Sequence, residues 1–316
     1  MLTNAITTVA LAALALVQPS LAIDYPGGWL PTPPKQQCVD ICVNSKPAPG
    51  CFNNDPACLA KKQRPGDFDY LLLEQLFVPQ FCRDLLLGVD STISHQNVNP
   101  YPKGIRCVER VVKSEMTIHG LWPNYNNGYA SCCNVSDSIA NHPYHAAQFA
   151  MNQLPLLKKM ARKWIDPTQS NEYDSLCEIY NHEFQKHGIC YNAFEDDYEK
   201  AAVNYFQATL TISSMLDTAT RKLNSWAKLA KPETTLDAIN ALYAKKVQVL
   251  CSAKDGSNRL GAIRSCFEKP EIANATGPFS AMDCPAATKS SAFVPCDGSK
   301  PITLDAYVPP QPVATQ

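Results

Sequence analysis

Apolar residues follow two rhythms along this chain. From Tyr70 to Phe77 they run with little interruption and stop before Pro79, which predicts a short buried strand. Residues 111–118 predict a second strand of the same sheet. The chain then breaks at Gly120 and Pro123, so residues 122–129 are expected as a polar, aromatic loop with Asn126, Asn127 and Gly128 as its turn. The spacing becomes helical over residues 144–164 and again over 194–229, where Glu195, Asp196 and Asp197 complement the helix dipole near the start. Residues 236–250 predict another helix. Helices plus a few separated strands, without internal repeats, indicate the α+β class.

The ends of the chain read differently. Residues 1–22 hold an apolar run from Val9 to Val17 followed by Ser20-Leu21-Ala22, the pattern of a signal peptide, although the first eight residues lack Lys and Arg. The run is too short to span a bilayer, so no membrane partner is expected. Residues 23–66 are rich in proline and cysteine with little periodicity. They predict a disulfide-stapled extension, read either as a brace or spacer or as a small binding module. The main domain is expected over 67–308, and 309–316 form a loose, proline-bearing tail.

Composition narrows the setting. Fourteen cysteines in 316 residues indicate an oxidising compartment and as many as seven disulfides. With the leader they predict export, either to the extracellular space or to a vacuole or lysosome through the secretory pathway. Asn134 and Asn274 head sequons and are expected glycosylation sites. A formal net charge of −1 supplies no global field for a polyanion, so attraction to one must be local.

Two segments carry the candidate chemistry: Met116-Thr-Ile-His-Gly-Leu-Trp-Pro123 and His182-Glu-Phe-Gln-Lys-His-Gly-Ile-Cys190. In an α-helix, residues four apart stack, so His182 would lie over Lys186 and Glu183 over His187. A zinc protease needs His-Glu-x-x-His; here the histidines are five apart and on an α-helix would point about 140° from one another. A Cys/His hydrolase is disfavoured because Cys190 has many disulfide partners available. No metal or other cofactor is expected.

These segments resemble the two active-site blocks of the ribonuclease T2 family, x-T-x-H-G-L-W-P and H-E-W-x-K-H-G-x-C. The first matches at every fixed position; the second departs at Phe184 and Ile189, neither a proton-transfer position. Weaker similarity runs from Asp69 to Asp305. The resemblance implies an antiparallel sheet flanked by helices and a secreted, metal-independent endoribonuclease that cuts single-stranded RNA through a 2′,3′-cyclic phosphate. In that chemistry His187 would be the base and His119 the acid, with Glu183 and Lys186 assisting and His182 holding phosphate. Trp122 and Tyr129 would stack on bases, and Asn124, which stands where many relatives carry aspartate, would bear on base preference; Tyr180 would line the pocket for the following base. The resemblance further implies the disulfides Cys251–Cys296 and Cys266–Cys284, with Cys190 reaching Cys132 or Cys133. No obligatory protein partner follows. The alternative is a secreted glycoprotein of the same fold whose catalysis is dispensable and which binds or signals.

Overall fold

The computed structural model describes residues 28, 37–42, 48–88, 98–133, 145–192, 194, 197–272, 277–287 and 289–311. The expected leader, the sequon asparagines Asn134 and Asn274 and the last five residues lie outside them. In chain order the strands are β1 (Gly50–Cys51), β2 (Tyr70–Phe77), β3 (Asn99–Tyr101), β4 (Gly104–Arg106), β5 (Met116–Tyr125), β6 (Gly128–Tyr129), β7 (Glu233–Thr234), β8 (Gln248–Ser252), β9 (Leu260–Glu268), β10 (Ala281–Met282), β11 (Phe293–Pro295) and β12 (Ile302–Thr303). The main sheet is antiparallel, in the order β1-β6-β5-β2-β9-β8-β11, and β10 adds to β9.

One face of this sheet is covered. Leu71 and Leu73 of β2 and Ile118, Leu121 and Tyr125 of β5 pack against Phe149, Met160, Trp164, Tyr205 and Phe206 in the largest core cluster. The helix Tyr198–Met215 supplies much of that cover. It starts where Asp197 accepts a hydrogen bond from the Lys200 amide, a cap that typically contributes about 1 kcal/mol. Because strand side chains alternate, Tyr70, Leu72, Glu74 and Leu76 face the other way and line an open cleft.

A β-bulge sets the parity of β5. Glu74 pairs with Gly120 but Gln75 pairs with Ile118, so His119 is the extra residue. Without it, His119 and Leu121 would share a face. With it, Ile118, Leu121 and Tyr125 go to the core, while His119, Trp122 and Asn124 reach the cleft.

Several expected boundaries shift. The strand expected over 111–118 begins only at Met116, because the amides of Val111 and Val112 close a turn onto the Val108 carbonyl. The expected loop over 122–129 is mostly strand: β5 runs to Tyr125 and returns as β6, with the turn at Asn126 and Asn127. Pro123 is tolerated because β6 joins only from Asn124 onward, which leaves β5 an edge on that side at Pro123. The helix expected over 236–250 stops at Asn240, and the apolar run Val249-Leu250-Cys251 is buried as β8 instead. Gln153 and Pro155 divide 144–164 into Ala146–Asn152 and Leu154–Lys163; Leu216 divides 194–229 into Tyr198–Met215 and Asp217–Trp226.

Seven disulfides use every cysteine: Cys38–Cys177, Cys42–Cys132, Cys51–Cys58, Cys82–Cys107, Cys133–Cys190, Cys251–Cys296 and Cys266–Cys284. The extension is therefore no self-contained module. Two of its four cysteines bond outside it, and β1 adds to the edge of the main sheet. Among the described residues no helix is long and apolar enough to cross a membrane.

Candidate active site

The second motif is wound as a π-helix, Glu183–Gly188, following another π turn at Leu176–Tyr180. In an i→i+5 turn, residues five apart share a face. His182 and His187 therefore come together, ring centroids 6.1 Å apart, instead of diverging as an α-helix would require. Ring nitrogens of both and a carboxylate oxygen of Glu183 lie within 4.8 Å of one another. Spacing of five thus does not keep the two histidines from a shared ligand set here. Three such donors could hold a divalent cation, but one of them is already engaged and a lysine shares the cleft. Lys186 lines the same cleft with a positive charge, and Glu183 accepts a hydrogen bond from the Trp122 indole at 2.8 Å.

Trp122 organises the centre. Its ring centroid lies 5.3 Å from that of His119, edge-on, and 5.3 Å from that of His187, tilted by 35°. Gly120 makes this possible. A Cβ there would fall 1.8 Å from Glu183 Oε2 and 2.4 Å from Trp122 Nε1, so any other residue would push the carboxyl off the strand. The Trp164 indole donates to the His119 carbonyl at 2.8 Å, anchoring the bulge from the core side. The Cys133–Cys190 disulfide ties the chain after β6 to the end of the π-helical segment, and the Cys132 amide donates to the Lys186 carbonyl at 2.8 Å.

Sequence reasoning missed Glu74 and Arg264. On the cleft face Glu74 sits between two register partners, Gly120 of β5 and Arg264 of β9. Its carboxylate meets His119 Nδ1 at 2.6 Å and pairs with the Arg264 guanidinium through its other oxygen. The available signal was a glutamate interrupting an apolar strand run. A buried charge there is stable only with partners, and both are present.

The local charges set the protonation states apart. Burial works to raise Glu74, but Arg264 and His119 prevail and hold its carboxyl down at about 2. Burial works to lower His119; the Glu74 hydrogen bond and the Glu183 charge 3.6 Å from Nε2 outweigh it and raise it. His187 goes well below the ordinary histidine value through burial, Lys186 and His119, with the Ala130 carbonyl opposing. His182 is lowered well below it through burial, Lys186 and His187. Burial pushes the Glu183 carboxyl up to about 7 against His119, Trp122 and Lys186.

The remaining expected site residues divide. Tyr129 lines the cleft at 38% exposure, and Asn124 lines it with its amide bonded to the Trp122 carbonyl at 2.9 Å. Tyr180 does not reach it. Its π turn directs the ring inward against Trp164 and Phe206, and its hydroxyl donates to the Trp164 carbonyl at 2.8 Å. The cleft, about 580 Å³, runs from Phe52 and Asn53 of the extension past the histidines to Lys254 and Lys289.

Two imidazoles shifted in opposite directions thus face a single cleft, an arrangement able to give a proton and to accept one. Comparison with known proteins makes this specific. The ribonuclease T2 family profile matches residues 68–276, more than half the chain, and the chain belongs to that family as an endoribonuclease of the T2 type. It is 26% identical over 230 residues to Ribonuclease DdI of Dictyostelium discoideum, covering 71% of this chain and 82% of that one. Identity to Ribonuclease 1 of Arabidopsis thaliana is 30% over 163 residues, covering 49% and 64%. The match spans 32% and 34% of the ribonuclease T2-like proteins of Aspergillus fumigatus and Saccharomyces cerevisiae. Human RNase T2 superposes with a TM-score of 0.47 at 20% identity, covering 77% of this chain and 100% of that one.

Proposed function

We propose that the protein cleaves single-stranded RNA by transphosphorylation without a metal ion. His187, held neutral, removes the proton from a ribose 2′-hydroxyl, and that oxygen attacks the adjacent phosphorus. His119 gives its proton to the departing 5′-oxygen. Because Nδ1 is committed to Glu74, the proton delivered is the one on Nε2, which points toward Glu183 and the cleft. The products are a 2′,3′-cyclic phosphate end and a free 5′-hydroxyl. Lys186 stabilises charge on the non-bridging oxygens and His182 helps hold the phosphate. Trp122 packs against both proton carriers and holds Glu183 in place through its indole hydrogen bond.

The observation that carries this reading is the opposed setting of the two histidines: His119 between two carboxylates, His187 beside Lys186. The binding or signalling alternative gains nothing from it, since a binding surface has no need of imidazoles tuned in opposite directions. The leader-like start and the closed set of seven disulfides support export through the secretory pathway, with glycosylation at Asn134 and Asn274. Digestion of RNA and of the same sequence as DNA, both in excess chelator, tests the proposal. RNA alone should be cut, at the full rate. Cleavage of the DNA, or silence until a divalent ion is restored, would overturn it.

A further inference from the structure

The ribonuclease T2 match begins at residue 68, yet one wall of the cleft is built from residues before it. β1 pairs with β6 in the register Gly50↔Tyr129 and Cys51↔Gly128, which carries the extension onto the edge of the catalytic sheet. The pairing requires a glycine at 50. A Cβ there would lie 2.4 Å from the Tyr129 ring, so that ring rests directly on the bare backbone of β1. The next residue out is Phe52. Its amide donates to the Asn127 carbonyl at 2.8 Å, the Cys51–Cys58 disulfide closes the short loop behind it, and the Asn127 amide donates to Asp55 at 3.0 Å.

This scaffold holds two aromatic rings open to water. Phe52 is 41% exposed and Tyr129 38%, with centroids 6.2 Å apart and planes tilted by 50°. A phenylalanine serving as a brace would be buried; here the backbone and disulfide do the bracing, and the ring faces the cleft shared with His119 and His187. Asn53 and Asn126, each adjacent in sequence to the Phe52 or Asn127 anchor, line the same cleft and bring amides to it. Ring faces and amides in one cleft suit an unpaired nucleobase, whose flat surface stacks and whose edge hydrogen-bonds.

We propose that Phe52, with Tyr129, forms a stacking notch for an unpaired base flanking the scissile phosphate, so that the N-terminal extension is part of the substrate-binding surface. The inference rests on the ribonuclease reading above. It assigns to the extension a role distinct from stapling: the extension determines how strongly one position of the RNA strand is gripped.

The test uses the full chain carrying Phe52→Ala and short RNA substrates in which single bases, but not their riboses, are removed. On base-bearing RNA, kcat/KM should fall about 5- to 150-fold, the range expected for loss of one base–aromatic stack. At one nucleotide position, removing the base should abolish the difference between variant and wild type, and Phe52→Trp should restore it. Binding of an uncleavable, fully 2′-O-methylated strand should weaken by the same factor. An unchanged kcat/KM and affinity, or a loss that is identical on base-bearing and abasic strands at every position, would overturn the proposal. A wild-type protein that binds the methylated strand but leaves RNA intact would instead defeat the ribonuclease reading, and the binding comparison would still judge the notch.

Discussion

Glu74→Gln removes one charge from the centre and keeps the side chain's shape, so its consequences follow from the geometry. In the wild type a carboxylate bonds His119 Nδ1 at 2.6 Å, and its other oxygen meets Arg264. A hydrogen bond to a charged group contributes about 1.5–3 kcal/mol, which corresponds to roughly 10- to 150-fold in the protonation equilibrium of the imidazole. Without the negative charge, and with Arg264 still nearby, His119 loses its proton more readily. The alkaline limb of the pH–activity profile should therefore move to lower pH. Above that limb kcat/KM should fall by the stated factor; on the acid side, where His119 is protonated in both proteins, the two should converge. Stability follows the opposite limb. A carboxyl held at about 2 instead of 4.5 adds stability that is present above pH 4.5 and lost as pH falls toward 2, so the variant should unfold at lower urea at neutrality and lose less on acidification. The assay is kcat/KM on an RNA dinucleotide across pH, with urea unfolding at each end. An alkaline limb that does not move would refute the claim that Glu74 keeps His119 charged.

Other perturbations follow from the same site. His119→Ala and His187→Ala should each lower turnover by at least about 10²-fold with the fold intact by circular dichroism, and the double variant should be scarcely worse than either alone. Gly120→Ala forces a methyl within 1.8 Å of Glu183 Oε2, so the Trp122–Glu183 bond should break; tryptophan fluorescence should change and activity fall at least about tenfold, whereas wild-type values for both would contradict the close approach. Replacing Cys133 and Cys190 together by serine should cost about 2–5 kcal/mol in urea unfolding and lower kcat as the histidine segment loosens, with no change in either counting against that tether.

Much of this molecule was legible in its residues, and the gaps have physical causes. The apolar run of β2 and the two histidine motifs stood out because each is local. Helix and strand ends slipped where one pattern served two elements: Val249, Leu250 and Cys251 extend the helical rhythm after Leu236 but are buried as a strand by pairing with β9. A single π turn leaves no mark in so short a segment that separates it from α periodicity, yet it decides whether His182 faces His187. Glu74 and Arg264 escaped because they are 190 residues apart and meet only through strand register. Tyr180 illustrates the reverse error: proximity in sequence to the second motif suggested the pocket, while its π turn buries it. The part played by the extension depends on a two-residue strand that no local pattern marks.

If a ribose 2′-hydroxyl is the nucleophile and two histidines carry the protons, a DNA strand containing one ribonucleotide has a single cleavable bond. Incubated with the protein in chelator and analysed by mass spectrometry, it should be cut once, on the 3′ side of that ribose, leaving a 2′,3′-cyclic phosphate on one fragment and a 5′-hydroxyl on the other. A 5′-phosphate at the cut, or scission between deoxynucleotides, would contradict this chemistry.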